Sequence, residues 1–178
     1  SLGPGVAAFF LKTPLFIHEQ NTIAGSANRI LSRISLKTFE AFPGSFYENS
    51  KAIFVGNPIR EEIIHLSSHH FPTTESTKKK FCLLILGGSQ GSTQLNHILM
   101  KSLQEIEEKK DWMIIHQAGE VDKVRLEEFY SKVGVKFKVE AFIKNIEEAY
   151  FKADLVISRA GAMTVSELIV MSKPSILL

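Results

Sequence analysis

One stretch limits what this chain can fold into more than any other: FCLLILGGSQGSTQLN, Phe81–Asn96. An apolar run breaks at a glycine turn, and a helical pattern begins straight after it. A strand–turn–helix junction of this kind aims backbone N–H groups and a positive helix end at one point, the arrangement an anion needs. A second junction recurs at DLVISRAGAMTVSEL, Asp154–Leu168. Two glycine-bearing turns at the carboxyl ends of two strands imply a phosphate-containing ligand in the crevice of an α/β sheet. The plainer alternative is that the glycines only let helices pack tightly.

The surrounding pattern supports a sheet. Strand Phe81–Leu86 leads to a helix with Leu95, Ile98, Leu99, Leu103 and Ile106 on one stripe. Strand Met113–His116 precedes a helix carrying Leu126, Phe129, Tyr130 and Val133. Strand Phe137–Ala141 precedes Ile146, Ala149, Tyr150 and Ala153; strand Leu155–Ser158 precedes Val165, Leu168 and Ile169; Ser175–Leu178 opens another strand. Strand–helix units in series predict a parallel, doubly wound sheet. Upstream, Leu15–His18, Thr38–Phe42 and Ala52–Val55 read as short strands. Ala24, Ala27, Leu31 and Ile34 mark an amphipathic helix, with Arg29, Arg33 and Lys37 recurring every four residues on one face. Asn57-Pro58 reads as a connector. His65–Lys80 is polar, contains Pro72 and reads as a surface loop; His65, His69 and His70 lie in it without spaced acids, so no metal site is expected.

Composition narrows the class. A net charge of +2 and no basic tract interleaved with aromatics give no footprint for nucleic acid. The single cysteine, Cys82, rules out a disulfide framework and a cysteine-built zinc site, and a buried, inert thiol is expected. No apolar run reaches the ~18 residues of a membrane span, and no signal peptide is visible, so a cytoplasmic protein is expected. The chain starts without Met at SLGPG, which reads as a helix start, and stops in an apolar strand at PSILL, so a fragment is expected.

The glycine turns also exclude ligands. A dinucleotide fingerprint needs G-x-G-x-x-G with an acid about 20 residues on. Here the turn is GGSQG and the next strand ends in His116-Gln117, which disfavours NAD and FAD. Gly87–Thr93 has no G-K-[ST], so the Walker lysine is absent too. Some other diphosphate remains, with the Ser89 hydroxyl and local N–H groups as donors. Thr164 and Glu167 have the spacing of a capping box, with Thr164 as N-cap. Alternatively, a Glu167 carboxylate at a crevice-facing helix start accepts two hydrogen bonds from a ribose diol. Asn145 and Glu148 have the same cap spacing. His18-Glu19-Gln20-Asn21, between a strand end and a helix, is polar beyond what a turn needs.

HEQNTIAGSANR, VGNPIR, LGGSQGSTQLN and SRAGAMTVSEL occur in that order and at these separations. Together they resemble the MurG family, the UDP-N-acetylglucosamine:lipid I N-acetylglucosaminyltransferases of peptidoglycan synthesis, over nearly the whole chain. The resemblance implies the GT-B architecture, two Rossmann-like doubly wound domains, the N-terminal one only partly present. Residues 1–55 would belong to the acceptor domain, 56–80 to the hinge and linker, and 81–178 to a truncated donor domain. Asn21, Arg60 and Ser89 resemble the family's donor contacts, Ser89 near the diphosphate. Ile143 in AFIKN matches the residue whose backbone meets the uracil. Ala162, Met163, Thr164, Val165, Ser166 and Glu167 match its A-x-T-V-S-E segment, Met163 standing where leucine is common, with Glu167 on the ribose. Asn96 matches a cleft-facing asparagine, for which packing is an equally good account.

The implied reaction is an inverting displacement, in which the C4 hydroxyl of a lipid-linked muramoyl sugar attacks the anomeric carbon of UDP-N-acetylglucosamine. Its implied partners are that donor, lipid I and the cytoplasmic face of the membrane, on which the protein would sit peripherally. No cofactor is implied, and no Asp-x-Asp metal motif is present. The family's general base, a histidine on a glycine loop, would lie upstream of Ser1, and a glutamine-bearing donor loop beyond Leu178. The chain by itself is therefore expected to bind UDP-sugar weakly and transfer nothing, with His18 and Glu19 the weak candidates for a base inside it. Two alternatives are a UDP-sugar 2-epimerase of similar architecture and a non-catalytic UDP-sugar-binding subunit of a split transferase.

Overall fold

Short parallel strands with helices between them make up the first of two units, Ser1–Pro58 and Ile59–Leu178, in a computed structural model that describes residues 2–47, 51–68, 80–88 and 90–178. The first unit runs α1 (Leu2–Phe10), β1 (Phe16–Glu19), α2 (Ser26–Leu31), β2 (Lys37–Glu40) and β3 (Ala52–Phe54). Its strands are parallel in the order β1-β2-β3. Pro4 falls in the first turn of α1, where its missing N–H would have no partner in any case. Gly5 is buried, and a Cβ there would lie 2.6 Å from both methyl carbons of Leu31, so glycine lets α1 reach α2. Ile17, Ala24, Leu31 and Phe46 form the unit's core.

The expected basic helical face does not form. Helix α2 stops at Leu31, Arg33 follows it in a turn, and Lys37 opens β2, so Arg29, Arg33 and Lys37 share no helix. The four-residue spacing was real, but the helix ends within two turns of its start.

The second unit runs α3 (Glu61–Ser68), β4 (Cys82–Leu86), α4 (Thr93–Glu105), β5 (Met113–Gln117), α5 (Lys123–Val133), β6 (Lys136–Glu140), α6 (Ile146–Lys152), β7 (Leu155–Ser158), α7 (Ala162–Val170) and β8 (Ser175–Leu177). Its five strands are all parallel, in the order β6-β5-β4-β7-β8. All five residues of the central β4 are buried. Leu84 and Leu86 pack with Ile115, Tyr150, Val156 and Leu168 on one face of the sheet, Leu83 and Ile85 with Leu99, Ile114, Leu126 and Tyr130 on the other. A strand covered on both faces must be apolar throughout, which is why FCLLIL has no alternation.

Strand positions agree with the sequence pattern to within one or two residues. One stretch differs: α3 extends to Ser68, so His65 is helical, while His69, His70 and Pro72 lie outside the described residues. Ile63 is fully buried against the α6–α7 face and holds that helix in place despite its polar flanks.

Candidate functional site

The chain leaves β4 in one direction along the sheet, through β5 to β6, then returns to the other side for β7 and β8. Strand order therefore reverses between β4 and β7, and crevices in open α/β sheets form at such a point, beyond the carboxyl ends of the strands. A cavity of about 340 Å³ lies there. Leu86, Gly87 and Gly88 line it from the β4 turn, and Arg159, Ala160, Gly161 and Thr164 from the β7 turn and α7. The two glycine junctions read from the sequence meet in one place.

The β4 wall depends on backbone that only glycine provides. Gly88 has φ +88° and Gly91 has φ +77°. A Cβ on Gly91 would lie 2.2 Å from the Ala118 carbonyl oxygen, and one on Gly119 2.4 Å from that of Gln90. The β4–α4 and β5–α5 loops thus touch backbone to backbone. Gly88 O accepts from Gly91 N–H at 3.0 Å and from Gln117 Nε2 at 2.8 Å. On the opposite wall Gly161 is the N-cap of α7, with no side-chain cap, and the first intrahelical bond is Val165 N–H to Gly161 O at 2.9 Å. The N–H groups of Ala162, Met163 and Thr164 have no carbonyl a turn earlier in the helix, so the positive end of α7 faces the cavity.

The capping box expected at Thr164 and Glu167 is not present. The helix begins at Ala162, which puts Thr164 inside the first turn and Glu167 beyond it. Glu167 is buried, 5% exposed, and its Oε2 accepts from the Tyr150 hydroxyl at 3.0 Å. Its Oε1 lies 3.8 Å from Arg60 Nε, whose side chain is half exposed. Arg60 and Glu167, read as donor contacts from separate motifs, are neighbours. At α6, Asn145 is the N-cap but makes no side-chain cap bond, and Glu148 pairs with Lys152 at 3.3 Å instead.

Residues 82–178 match the glycosyltransferase family 28 C-terminal domain. The chain belongs to glycosyltransferase family 28. Among curated relatives, the UDP-N-acetylglucosamine--N-acetylmuramyl-(pentapeptide) pyrophosphoryl-undecaprenol N-acetylglucosamine transferase of Pseudomonas entomophila is 43% identical over 98% of this chain and 48% of its own length. The relative of the same name from Methylococcus capsulatus is also 43% identical, with the same coverage. The chain spans about half the length of the curated relatives it matches. A crystal structure of Acinetobacter baumannii MurG is 34% identical with a TM-score of 0.69, covering 92% of this chain and 45% of that one. A putative UDP-N-acetylglucosamine 2-epimerase from Listeria monocytogenes shares the fold (TM-score 0.62) at 14% identity, covering all of this chain and 54% of its own. The α/β, Rossmann-like, GT-B character of the chain follows from these likenesses and from its parallel sheets.

In this family 28 chain Ile143 is buried, and its N–H donates to Gln117 Oε1 at 2.9 Å. Met163, Val165 and Ser166 are partly buried in α7, and Ser166 Oγ donates to Ala162 O at 2.9 Å. Ser89 lies outside the described residues.

In the first unit, Glu19 organises the HEQN turn. It is 3% exposed and accepts from Asn21 N–H and Nδ2, Asn28 Nδ2 (each 2.9 Å) and Gly25 N–H (3.0 Å). Burial pushes this carboxyl up, but the bonds from Asn21, Asn28 and Gly25 together hold it below its ordinary value. A carboxylate stabilised in this way is a poor proton acceptor. His18 Nε2 donates to Gly56 O at 2.9 Å, which leaves Nδ1 as its basic nitrogen. Asn21 is exposed at the tip of the turn.

Asn96 is structural. It is 2% exposed, and its Nδ2 donates to Ala118 O at 3.1 Å and Asp122 Oδ2 at 2.9 Å. Its Oδ1 therefore faces His116 Nε2 at 3.0 Å, which must carry the proton, so His116 Nδ1 accepts from the Tyr130 hydroxyl at 2.8 Å. Gln117 and Tyr150 escaped the sequence reading, since one looked like a strand end and the other like a core position on a helical stripe.

Proposed function

We propose that this chain holds the donor half of a transferase that moves N-acetylglucosamine from UDP-N-acetylglucosamine to the C4 hydroxyl of a lipid-linked muramoyl sugar, lipid I, forming lipid II. One observation carries the reading: the Gly87–Gly88 turn and the N-terminus of α7 converge on a single cavity at the switch point of the sheet. As the sugar–phosphate bond breaks, charge builds on the leaving diphosphate. Preorganised N–H groups and a positive helix end stabilise that charge more than they stabilise the ground state. Arg60 adds a mobile cation, and Glu167, fixed by Tyr150, offers Oε1 to a ribose hydroxyl. Ile143, with its N–H already bonded to Gln117, would meet the uracil through its carbonyl, which suits the N3–H of that base. By the family resemblance Ser89 would add a further diphosphate contact.

In this reading residues 1–55 serve the acceptor side, where Asn21 contacts the donor sugar, 56–80 link the two parts, and 81–178 hold the donor. The relatives' names support the acceptor, since they specify a pyrophosphoryl-undecaprenol substrate. Such a substrate is membrane-embedded, which supports the reading of a protein attached peripherally at the cytoplasmic membrane face. No helix among the described residues is long and apolar enough to cross a membrane, which suits peripheral attachment. Titration calorimetry with UDP and ADP tests the donor assignment. UDP should bind at least tenfold more tightly, and equal affinity for the two would sink it.

A further inference from the structure

Gln117 makes three bonds that no other described residue of the site combines. Its backbone carbonyl accepts from Gly87 N–H at 3.3 Å, its Nε2 donates to Gly88 O, and its Oε1 accepts from Ile143 N–H. It is 6% exposed, at the carboxyl end of β5, in register with Leu86 of β4 and Glu140 of β6. One side-chain amide therefore joins the turn beside the cavity to the loop that follows β6.

We infer that Gln117 is a positioning residue that fixes the phosphate turn and the base-recognising loop in one geometry; the inference rests on the UDP-sugar reading above. The chemistry demands an amide. A neutral side chain must donate on one side and accept on the other, at a length that spans both loops. Asparagine is one methylene too short, a carboxylate cannot donate, and lysine cannot accept. The donating arm matters most for an anion. Gly88 O is a partial negative charge at the cavity wall, and Gln117 and Gly91 N–H both bind it, holding it among donors and away from a diphosphate. The accepting arm ties up Ile143 N–H, which leaves that residue's carbonyl for the ligand. Two parts of one nucleotide are thus read by backbone groups whose orientations share a single side chain.

Two variants test this in the whole chain, with thermal melting as the check on folding and calorimetry as the readout. Gln117→Met keeps the length and removes both arms. It should weaken UDP about tenfold, the effect of one hydrogen bond's worth of misalignment, and should weaken uridine as well because Ile143 is released. Gln117→Glu restores the donor only as the acid, whose O–H can reach Gly88 O. Relative to wild type at the same pH, it should bind UDP nearly normally at pH 5.5. Wherever its carboxyl ionises as the pH rises to 8.5, binding should be lost. A folded methionine variant with UDP and uridine affinities within twofold of wild type overturns the inference. A glutamate variant that is equally impaired at every pH, while NMR titration shows its carboxyl changing charge within that range, does so too. Failure of the wild type to bind UDP instead sinks the donor reading beneath it.

Discussion

The Tyr150 hydroxyl reaches Glu167 Oε2 at 3.0 Å across the α6–α7 packing, so one carboxylate oxygen is already engaged within the fold. Burial raises the Tyr150 hydroxyl above its usual range, and the Glu167 carboxylate adds to that, so the phenol stays a donor at neutral pH. Tyr150→Phe should lower stability by about 1–3 kcal/mol, the cost of a buried acceptor left without its donor. UDP affinity should fall as well, because Glu167 is then free to rotate. Melting curves and UDP calorimetry on the same samples check both. A lower melting point with UDP binding intact would confine Tyr150 to packing.

In the proposed donor site Arg60 would contribute to ligand binding rather than to folding. Its side chain is 52% exposed and its Nε lies 3.8 Å from Glu167, so the pair should couple by less than about 1 kcal/mol in stability. A double-mutant cycle with Arg60→Ala and Glu167→Gln measures that coupling. Arg60→Ala alone should cost tenfold or more in UDP affinity. A coupling above about 2 kcal/mol would show that the ion pair is structural instead.

Two glycines separate backbone geometry from cavity shape. Gly91→Ala meets the Ala118 carbonyl at 2.2 Å with φ at +77°, so unfolding should become easier by about 3 kcal/mol or more. Gly161→Ala has φ −71° and meets only Thr164 Oγ1 at 3.8 Å, so the cost should stay within about 1 kcal/mol. Its methyl nevertheless enlarges a residue that lines the cavity. UDP binding should therefore weaken in a protein that melts almost normally, and an unchanged dissociation constant would remove Gly161 from the site.

Acid should loosen the fold through His116. Burial brings its ring down to about 4 from 6.5, against an opposing pull from Asp122. The unfolded chain then binds more protons below 6.5, so stability is complete above that pH and declines toward 4. The slope is up to about 1.4 kcal/mol per pH unit for one proton. Glu19, held below its ordinary 4.5, adds to the loss only under that value. Urea titrations at pH 7.5 and 5 should show the decline in wild type and a smaller one in His116→Gln. Equal declines would assign the effect elsewhere.

Strands β4 and β5 were legible because burial on two faces leaves a nearly uninterrupted apolar run, and the β4 glycine turn because positive φ restricts residue choice. Polar residues were harder to read. Thr164 and Glu167 fit a cap by spacing, yet the helix starts at Ala162, and the extended backbone of Gly161 serves as N-cap without a side chain. Glu19 and Asn28 are nine positions apart and meet only because the chain turns between them. Gln117 and Tyr150 act through partners 26 and 17 positions away, distances over which no local pattern operates. Spacing detects neighbours along an element, whereas site geometry depends on neighbours across the sheet.

The contact between Gly91 and Ala118–Gly119 has a consequence for how such a chain changes over generations. Two loops that meet with only hydrogen atoms between their backbones have no slack. A residue gained or lost in either would part them and move the cavity wall. Length changes should therefore accumulate where the chain is free of this clasp, and the two loops should keep their lengths together.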